Sequence, residues 1–377
     1  GRADPGEAMA RAIPLALTGD VMTGRGVDQV LPHPGDPRLY EPSVRDARRY
    51  VALAEQANGA FAKPVGFAAI WGDALAELDA QRPDLRVINL ETAVTRADRP
   101  APKAVCYRMN PANVSVLTAA GIDACALANN HVLDWGEAGL RATLDTLHDH
   151  GLATAGAGST AGEAARPAVF ARPAGGRVLL FALAAADSGV PDDWAAAAAH
   201  PGIAMLPGYG APARRRVCAA IRAWKQVGDI VVVSLHWGGN WGYAVAEAQR
   251  RLAHALIDDA GADVIHGHSA HHVKGIEVHA GRLILYGCGD FLTDYEGIRG
   301  YAEYRDDLVL LYQPELDAAT GELRTLTMTP FRLCQLRPRT PSSADARWLR
   351  ETLARTGEPL GTSAELGGDG RLRLVWR

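Results

Sequence analysis

Five apolar stretches of this chain each end in a short polar cluster. The stretches are LALTGD, LRVINLE, ACALANNH, IVVVSLHWG and ADVIHGH, and each is expected to form a buried β-strand. The clusters that close them are Gly19-Asp20, Asn89-Leu90-Glu91, Asn129-Asn130-His131, His236-Trp237-Gly238 and Gly267-His268-Ser269-Ala270-His271. Because α/β folds place ligand sites at the carboxyl ends of strands, we expect these side chains to meet. Carboxylate, amide and imidazole groups together suit a divalent metal, so the pattern predicts a metal-centred enzyme.

The charge balance restricts the partners of the protein. Its 377 residues include 39 basic and 43 acidic side chains, a net charge of −4, with no basic tract. This balance argues against nucleic acid and against an anionic membrane surface as partners. No run of about 18 apolar residues occurs, so no membrane anchor is expected. Met9 is a candidate natural start, with residues 1–8 foreign to the protein, and a cytoplasmic location is then expected.

Strands and helices alternate through the first two thirds of the chain, which predicts an α/β fold. The last third adds antiparallel strands over 306–337. No long linker occurs, so a single domain is predicted over 10–340, with a C-terminal helix and strand at 341–377 packed on it. The proline- and glycine-rich residues 31–43 are expected to form an ordered lid over the end of the first strand. Helices are expected at 43–58, 68–81, 111–119, 136–150, 211–226, 245–260 and 344–355.

The polar clusters contain the ligand types of a two-metal site. Such a site holds two ions about 3.5–4 Å apart, activates a shared water and clamps the substrate. Asp20 and Glu91 would supply negative charge, Asn130 a neutral oxygen, and His236 and His268 ring nitrogens. Each residue also has a structural interpretation. Asp20 could cap a helix, Glu91 could pair with an arginine, Asn130 could satisfy loop backbone groups, and both histidines could be neutral core residues.

Two residues of the third cluster are candidates for proton transfer. His131 directly follows Asn130, where it could lean over a substrate and protonate the leaving group. Asp134 could orient His131 by accepting its second N–H, or it could cap the helix that follows.

Three further residues are candidates for substrate binding. Arg25, in a glycine-containing turn, could hold an anionic group together with exposed backbone amides. Arg108 could clamp a substrate anion or form a surface ion pair. Trp237, with Trp241, could wall the pocket or pack in the interior. These candidates predict an anionic substrate, either a small molecule or an oligomer.

The ordered motifs GDVMTGR, VINLETAVT, ALANNHVLDWG, SLHWGGNWG, VIHGHSAHHVKG and ILYGCGDF resemble those of a known family. The chain is similar over residues 14–296 to the CapA-type poly-γ-glutamate capsule biosynthesis family, which is related in fold to the calcineurin-like metallophosphoesterases. The resemblance implies a four-layer α/β/β/α sandwich with a metal site at one edge of its two sheets.

The resemblance also implies roles for individual residues. Asp20 matches the first-strand aspartate and Glu91 the position of the bridging acid. Asn130-His131 matches the family's asparagine–histidine pair. His236 matches its lone histidine after a strand, and His268 matches the first histidine of its last motif.

Two positions depart from the phosphoesterase pattern. Met22 stands where that pattern has a histidine, and His271, a further candidate ligand, comes one place later than usual. Asp290 in the motif ILYGCGDF is a second candidate carboxylate. One or two divalent ions, Mn, Fe or Zn, are therefore the expected cofactor.

The resemblance implies a metal-dependent hydrolase that uses metal-activated water on a phosphoester or an amide, γ-glutamyl bonds included. The alternative is a non-hydrolytic subunit of capsule polymer synthesis or export. A Ser/His/Asp hydrolase is disfavoured because the chain has no Gly-x-Ser-x-Gly motif.

Overall fold

The first strand, β1 (Ala12–Val21), lies within the larger of two main sheets and is buried along almost its whole length. The computed structural model describes residues 12–172 and 175–377. The expectations about Met9 and residues 1–8 therefore lie outside the described residues. Within the described ranges, no helix has both the length and the apolar character needed to span a bilayer.

The strands after β1 are β2 (Leu85–Leu90), β3 (Ala93–Val94), β4 (Arg108–Met109), β5 (Ala124–Ala126), β6 (Ala153–Ala155), β7 (Ala157–Gly158), β8 (Ala168–Ala171), β9 (Arg177–Ala184), β10 (Gly202–Ile203), β11 (Ile230–His236), β12 (Val264–His268), β13 (Ile276–His279), β14 (Arg282–Leu285), β15 (Asp290–Leu292), β16 (Leu308–Asp317), β17 (Leu323–Cys334), β18 (Arg337–Arg339), β19 (Thr362–Leu366) and β20 (Leu372–Trp376). The α-helices are α1 (Arg25–Val30), α2 (Arg48–Asn58), α3 (Ala74–Gln81), α4 (Ser115–Ala119), α5 (Gly136–Asp149), α6 (Ala161–Ala165), α7 (Ala211–Arg222), α8 (Glu247–Asp258) and α9 (Ser343–Gly357). Single 3₁₀ turns lie at Ala69–Trp71, Pro111–Asn113, Ala186–Ser188, Asp192–Trp194, Ala302–Tyr304 and Glu358–Leu360.

The strands form two main sheets. The larger sheet has the order β19-β20-β17-β16-β1-β2-β5-β6, with β15 also paired to β1 and β18 to β17. Its strands β1, β2, β5 and β6 are parallel, while β16 and β17 are antiparallel additions. The smaller sheet has the order β13-β14-β12-β11-β9-β8 and is parallel from β14 to β9.

Alternate residues of the smaller sheet face opposite sides, as the period of a β-strand requires. One set joins the core shared with the larger sheet: Val178, Leu180, Ile230, Val232 and Val264. The other set joins a separate core with α7 and α8: Leu179, Phe181, Val231, Val233 and Ile265. The smaller sheet therefore lies between the larger sheet and a layer of helices.

The fourth layer covers the other face of the larger sheet. The connections from β2 to β5 and from β5 to β6 carry α4 and α5 and run in the same direction across the sheet. Because such crossovers are right-handed, both helices lie on one face. Leu117 of α4 and Leu140 of α5 are fully buried there. The predicted four-layer α/β/β/α sandwich is confirmed.

The C-terminal segment continues the larger sheet. Strand β20 pairs with β17, β19 pairs with β20, and α9 packs against β19 and β13. The segment adds one strand more than the sequence predicted. The domain division at residue 340 stays a prediction.

Two element boundaries matter for the site. Helix α2 begins at Arg48 and not at 43, because the preceding residues hydrogen-bond back to the 31–43 loop, as in Ala47 N–H to the Pro37 carbonyl at 2.8 Å. Strand β12 extends to His268, the last residue of the stretch ADVIHGH. His266 and His268 therefore lie on the same face of β12.

The close approach of β15 to β1 depends on a glycine. The Asp20 N–H donates to the Gly289 carbonyl at 2.9 Å, and Asp20 is in register with Asp290. A Cβ at Gly19 would lie 1.8 Å from that same carbonyl oxygen. Glycine at position 19 is therefore what allows β15 to reach β1.

We predict that Gly19→Ala destabilises the protein by about 1–3 kcal/mol or more, since an added methyl group in a packed interior forces backbone shifts. Urea unfolding measures the change. The control is Gly368→Ala, where a Cβ has no neighbour within 4 Å and the cost should be within ~0.5 kcal/mol. Equal stability of the two variants would contradict the role of this contact.

Candidate metal centre

The Asp20 carboxylate lies at the centre of the strand-end clusters. Asp20 is fully buried and is in register with Asn89 of β2 on one side and Asp290 of β15 on the other. The Asn89 side-chain amide donates to Asp20 Oδ1 at 2.7 Å. The amide of Asn129 in turn donates to Asn89 Oδ1 at 3.1 Å. Two amides thus fix one oxygen of the Asp20 carboxylate.

Two groups of metal-ligating side chains share Asp20. The first is Asp20, His236 and His268, and the second is Asp20, His271 and Asp290. Within each group, one ligand atom from each residue lies within 4.8 Å of the others. Asp20 is therefore placed to contribute to either of two cation sites.

Buried carboxylate oxygens support this assignment. Asp20 Oδ2, Glu91 Oε2 and Asp290 Oδ2 are buried, and none has a hydrogen-bond partner among the described residues. An unsatisfied buried carboxylate oxygen is costly, and a bound cation removes that cost. The donor set, with carboxylate oxygens and imidazole nitrogens, fits one or two divalent ions.

The pKa values show that protons compete for these oxygens in the metal-free protein. Burial raises the pKa of Asp20, and burial together with the nearby Asp20 raises that of Glu91 well above its usual value. Burial likewise raises the pKa of Asp290 to about 7. Burial lowers the pKa of His271, but its ion pair with Asp290 at 2.9 Å outweighs this and raises it to about 9.

The two candidate ligand histidines of the smaller sheet lie side by side at its edge. His236 Nδ1 is 2.8 Å from His268 Nδ1, and His236 Nε2 is 3.2 Å from Asn130 Oδ1. Glu91 Oε1 lies 3.8 Å from the same Nε2. Burial lowers the pKa of both histidines well below the usual value, so both rings are neutral, as metal ligands must be.

His131 lies beside this cluster. Its Nδ1 is 2.5 Å from Asp134 Oδ2, and its Nε2 is 4.0 Å from Glu91 Oε1. The ring stacks on Tyr107 with centroids 4.0 Å apart. Burial lowers the pKa of His131 to about 4, although Asp134 opposes the shift.

Asp134 orients His131 and does not cap the following helix. Its Oδ2 also accepts the Tyr107 N–H at 2.7 Å, and its Oδ1 forms an ion pair with Lys103 at 2.5 Å. The N-cap of α5 is Trp135, and no side chain bonds to the cap. The structure thus favours the first of the two interpretations of Asp134.

Arg25 is placed differently from the prediction. Its guanidinium donates to both oxygens of Asp294, at 2.6 and 2.8 Å, and to Glu41 at 2.7 Å. It also lies over the Tyr50 ring, 3.5 Å from the centroid. Arg25 is buried and internally paired, so the predicted contact with a substrate anion is corrected to a structural role. The turn glycines had indicated an open loop, but α1 begins at this residue.

Arg108 and Trp237 are both held by contacts within the protein. Arg108 donates to the Ala97 carbonyl at 2.5 Å and packs over Trp135, beside Asp36. Trp237 is buried, and its Nε1 donates to the Tyr286 carbonyl at 3.0 Å. These contacts match the second interpretation given for each residue, an ion pair for Arg108 and interior packing for Trp237. The substrate-binding role of both residues stays a prediction. Trp241, with its ring 5.4 Å from that of His271, is the tryptophan beside the cluster.

The structure adds residues that the predicted ligand set omitted. Asp290 was visible as a carboxylate after an apolar strand, and β15 brings it next to Asp20. Met22 is fully buried, and Asp290 supplies a carboxylate beside β1 instead. Lys103 and Tyr107 stand in an irregular segment with no motif, so no sequence signal identified them.

A third group of possible ligands lies elsewhere: His254, Glu277 and His279. Glu277 already accepts hydrogen bonds from Arg250 at 2.8 Å and from the Tyr286 hydroxyl at 2.6 Å. Its carboxylate is satisfied by these donors, so the group is an ion-pair network. It provides control positions for experiments on the candidate metal centre.

A family model described as "Bacterial capsule synthesis protein PGA_cap" matches residues 14–295. The chain belongs to this family. This match confirms the family that the motifs predicted. It also agrees with the predicted extent of the similarity, residues 14–296.

Two relatives and one solved structure give the extent of the similarity. A "Probable polyglutamine synthesis accessory protein" of Mycobacterium tuberculosis is 46% identical over 371 residues, 96% of this chain and 96% of that protein. The "PGA biosynthesis protein CapA" of Bacillus subtilis is 30% identical over 302 residues, 79% of this chain and 66% of that protein. The solved structure, described as a novel phosphatase from Mycoplasma pneumoniae, has a TM-score of 0.47 and 12% identity, and the match covers 90% of this chain and 96% of that chain.

We predict that Asp20→Asn retains the least metal of any single variant, because Asp20 belongs to both ligand groups. His268→Gln and Asp290→Asn should each lose only the metal that is bound by the ligand group to which the changed residue belongs. Metal content is measured by mass spectrometry after Mn²⁺ loading and dialysis. His279→Asn is the control and should match the wild type, whereas a full metal content in Asp20→Asn would contradict the shared-carboxylate arrangement.

We also predict that Mn²⁺ affinity rises with pH up to about 9, the pKa of His271 in the metal-free protein. Below that pH the His271 ring is protonated, and a metal must displace its proton. Titration calorimetry at increasing pH measures the trend. The rise should be weaker in His271→Gln, and an identical pH dependence in the variant would show that His271 is not a ligand.

Proposed function

We propose that this member of the capsule synthesis family is a metal-dependent hydrolase that uses metal-activated water on a phosphoester or an amide, γ-glutamyl bonds included. The main support for this proposal is the Asp20 carboxylate, which two groups of possible ligands share. His131 lies beside these groups, where it could transfer a proton. A protein that only binds its ligand does not need a histidine placed for proton transfer. One or two ions of Mn, Fe or Zn would be held by Asp20, Glu91, Asn130, His236, His268, His271 and Asp290.

When bound, the divalent ions supply a nucleophilic water at neutral pH and polarise the substrate oxygens. The protein supplies the group that transfers the proton, His131. Asp134 accepts the Nδ1–H of His131. The other ring nitrogen, Nε2, faces Glu91 at the candidate metal centre. The nucleophilic water would lose a proton as its oxygen bonds to phosphorus or to the amide carbon. Taken up at His131 Nε2, this proton gives an imidazolium that Asp134 stabilises. His131 can then pass this proton to the oxygen or nitrogen of the leaving group.

The network behind His131 keeps this geometry fixed. Lys103 holds Oδ1 of Asp134 and also donates to the Asn130 carbonyl. The stacked Tyr107 ring prevents the imidazole from tilting away, and the Tyr107 hydroxyl lies 3.1 Å from that of Tyr295. Proton transfer is efficient only from a fixed position within hydrogen-bond reach, and these contacts provide it.

The names of the relatives support a substrate from polymer metabolism. The Bacillus subtilis relative is named for PGA biosynthesis and the Mycobacterium tuberculosis relative for polyglutamine synthesis. We therefore propose a polyanionic glutamate polymer or one of its intermediates as the substrate. Arg25 and Arg108 are paired internally, so the bound cations are the groups that would meet the substrate's negative charge.

A second function, a non-hydrolytic accessory subunit, is favoured by one observation. The word "accessory" is part of the name of the Mycobacterium tuberculosis relative. Such a subunit would keep the fold and its metal for binding alone. Metal binding without turnover of phosphoesters or γ-glutamyl peptides would support it over the hydrolase.

We predict that His131→Asn lowers kcat about 10²–10⁴-fold and leaves the metal content unchanged, since His131 transfers a proton and is not a ligand. Glu91→Gln and His236→Ala should lose both metal and activity. The assay compares aryl phosphoesters with γ-glutamyl peptides in the Mn²⁺-loaded protein. His279→Asn should retain full activity, and full activity of His131→Asn would contradict the proposed acid.

A further inference from the structure

A continuous hydrogen-bonded chain runs from the larger sheet to one of the ligand histidines. Ser234 and His266 are in register on the parallel strands β11 and β12, and His268 lies two residues beyond His266 on the same face. His266 Nε2 is 2.6 Å from the Thr18 carbonyl of β1. His266 Nδ1 is 3.0 Å from Ser234 Oγ, and that hydroxyl is 2.7 Å from His268 Nε2.

The carbonyl at the start of the chain fixes the direction of every hydrogen bond in it. A carbonyl oxygen can only accept, so His266 Nε2 carries a proton and donates it to Thr18. His266 is fully buried, and its ring nitrogens contact a carbonyl and a hydroxyl, so its ring is neutral and Nδ1 accepts. The Ser234 hydroxyl therefore donates to His266, and its remaining lone pair accepts from His268 Nε2–H.

This order leaves the other nitrogen of His268 without a proton. His268 Nδ1 faces His236 Nδ1, at 2.8 Å, within the ligand group of Asp20, and accepts from it. His236 Nε2, 3.2 Å from the end of the Asn130 side chain, then accepts from the Asn130 amide in the orientation that turns its NH2 group toward the ring. We propose that Ser234 and His266 are positioning residues that hold His268 in the tautomer with Nδ1 free to bind a metal ion. This inference rests on the proposed metal-dependent function.

The backbone of β1 makes the chain possible. The register of β1 against β2 shifts between Leu17 and Asp20, and Thr18 lies in that interval. The irregularity that brings Asp20 into the cluster thus also places the Thr18 carbonyl against His266. The same irregularity of β1 thus positions the Asp20 carboxylate and, through His266, the ring of His268.

A ligand histidine whose second nitrogen is held in this way keeps its ring orientation, and loss of such a partner typically weakens metal affinity about 10–100-fold. The alternative is that Ser234 and His266 only satisfy one another as buried polar groups. In that case the His268 tautomer and the metal affinity do not depend on the Ser234 hydroxyl. The two roles therefore predict different outcomes for Ser234→Ala, which removes only the hydroxyl oxygen.

The first measurement is made on the metal-free protein and needs no activity. Ring ¹⁵N shifts of histidine-labelled protein distinguish the two tautomers, and the His268 signals are assigned as those absent in His268→Gln. We expect protonated Nε2 and unprotonated Nδ1 in the wild type, and loss of this preference in Ser234→Ala. A wild-type His268 with its proton on Nδ1 would overturn the inference.

The second measurement is Mn²⁺ affinity by calorimetry. Ser234→Ala should bind about 10–100-fold more weakly at the ion that depends on His268. The matched control is Ser188→Ala, which removes another buried hydroxyl, one bonded to the Ala185 carbonyl at 2.7 Å, and should match the wild type. Circular dichroism and Tm verify that both variants fold.

Unchanged Mn²⁺ affinity in Ser234→Ala, or an equal loss in Ser188→Ala, would overturn the inference. These results differ from a failure of the proposed function. If the wild type binds no metal ion, the hydrolase proposal is lost, while the tautomer of His268 still decides whether Ser234 and His266 position its ring.

Discussion

A single buried carboxylate, Asp20, is the constraint on which the rest of the site depends. It ends β1, which pairs with β2 on one side and with β15 on the other, and the smaller sheet packs across it. Burying a carboxylate without full hydrogen bonding costs several kcal/mol. The fold accepts this cost because the same position brings the oxygen next to His236, His268, His271 and Asp290. In the proposed function a cation shared among these groups would offset the cost, which would link the architecture to metal binding.

The histidines around Asp20 are held from behind by different kinds of partner. His131 is held through Nδ1 by Asp134, and a carboxylate partner favours a ring that takes up a proton. His268 is held through Nε2 by the Ser234 hydroxyl, which is uncharged and leaves the ring neutral. In the proposed function, the charge of the group behind each ring would distinguish the proton-transferring His131 from the ligand His268. Two imidazoles a short distance apart can in this way have separate chemical roles.

Much of the fold and of the ligand set could be predicted from the sequence because both depend on local pattern. Buried strands followed by polar residues predict a shared edge, and the structure places Asp20, Glu91, Asn130, His236 and His268 there. Whether they bind metal stays a prediction. Within this pattern, the continuation of β12 to His268 places His266 and His268 on the same side of the strand.

The residues whose surroundings the sequence left undecided depend on contacts between distant segments. Arg25 pairs with Asp294, 269 positions away, and nothing near Arg25 in the sequence indicates that partner. Asp290 was a recognisable candidate, but its position beside Asp20 depends on the pairing of β15 with β1. Trp237 was ambiguous because tryptophan suits both pocket walls and cores. Long-range pairing decided each case, and local pattern contains no information about it.

The most direct test of the central role of Asp20 is a crystal structure of the Mn²⁺-loaded protein with anomalous scattering recorded at the manganese edge. The structure predicts one or two anomalous peaks, each within bonding distance of an Asp20 carboxylate oxygen, with His236 and His268 or His271 and Asp290 as the other ligands. Peaks that Asp20 does not contact, for example at His254, Glu277 and His279, would contradict the account, as would the absence of any peak at the strand ends.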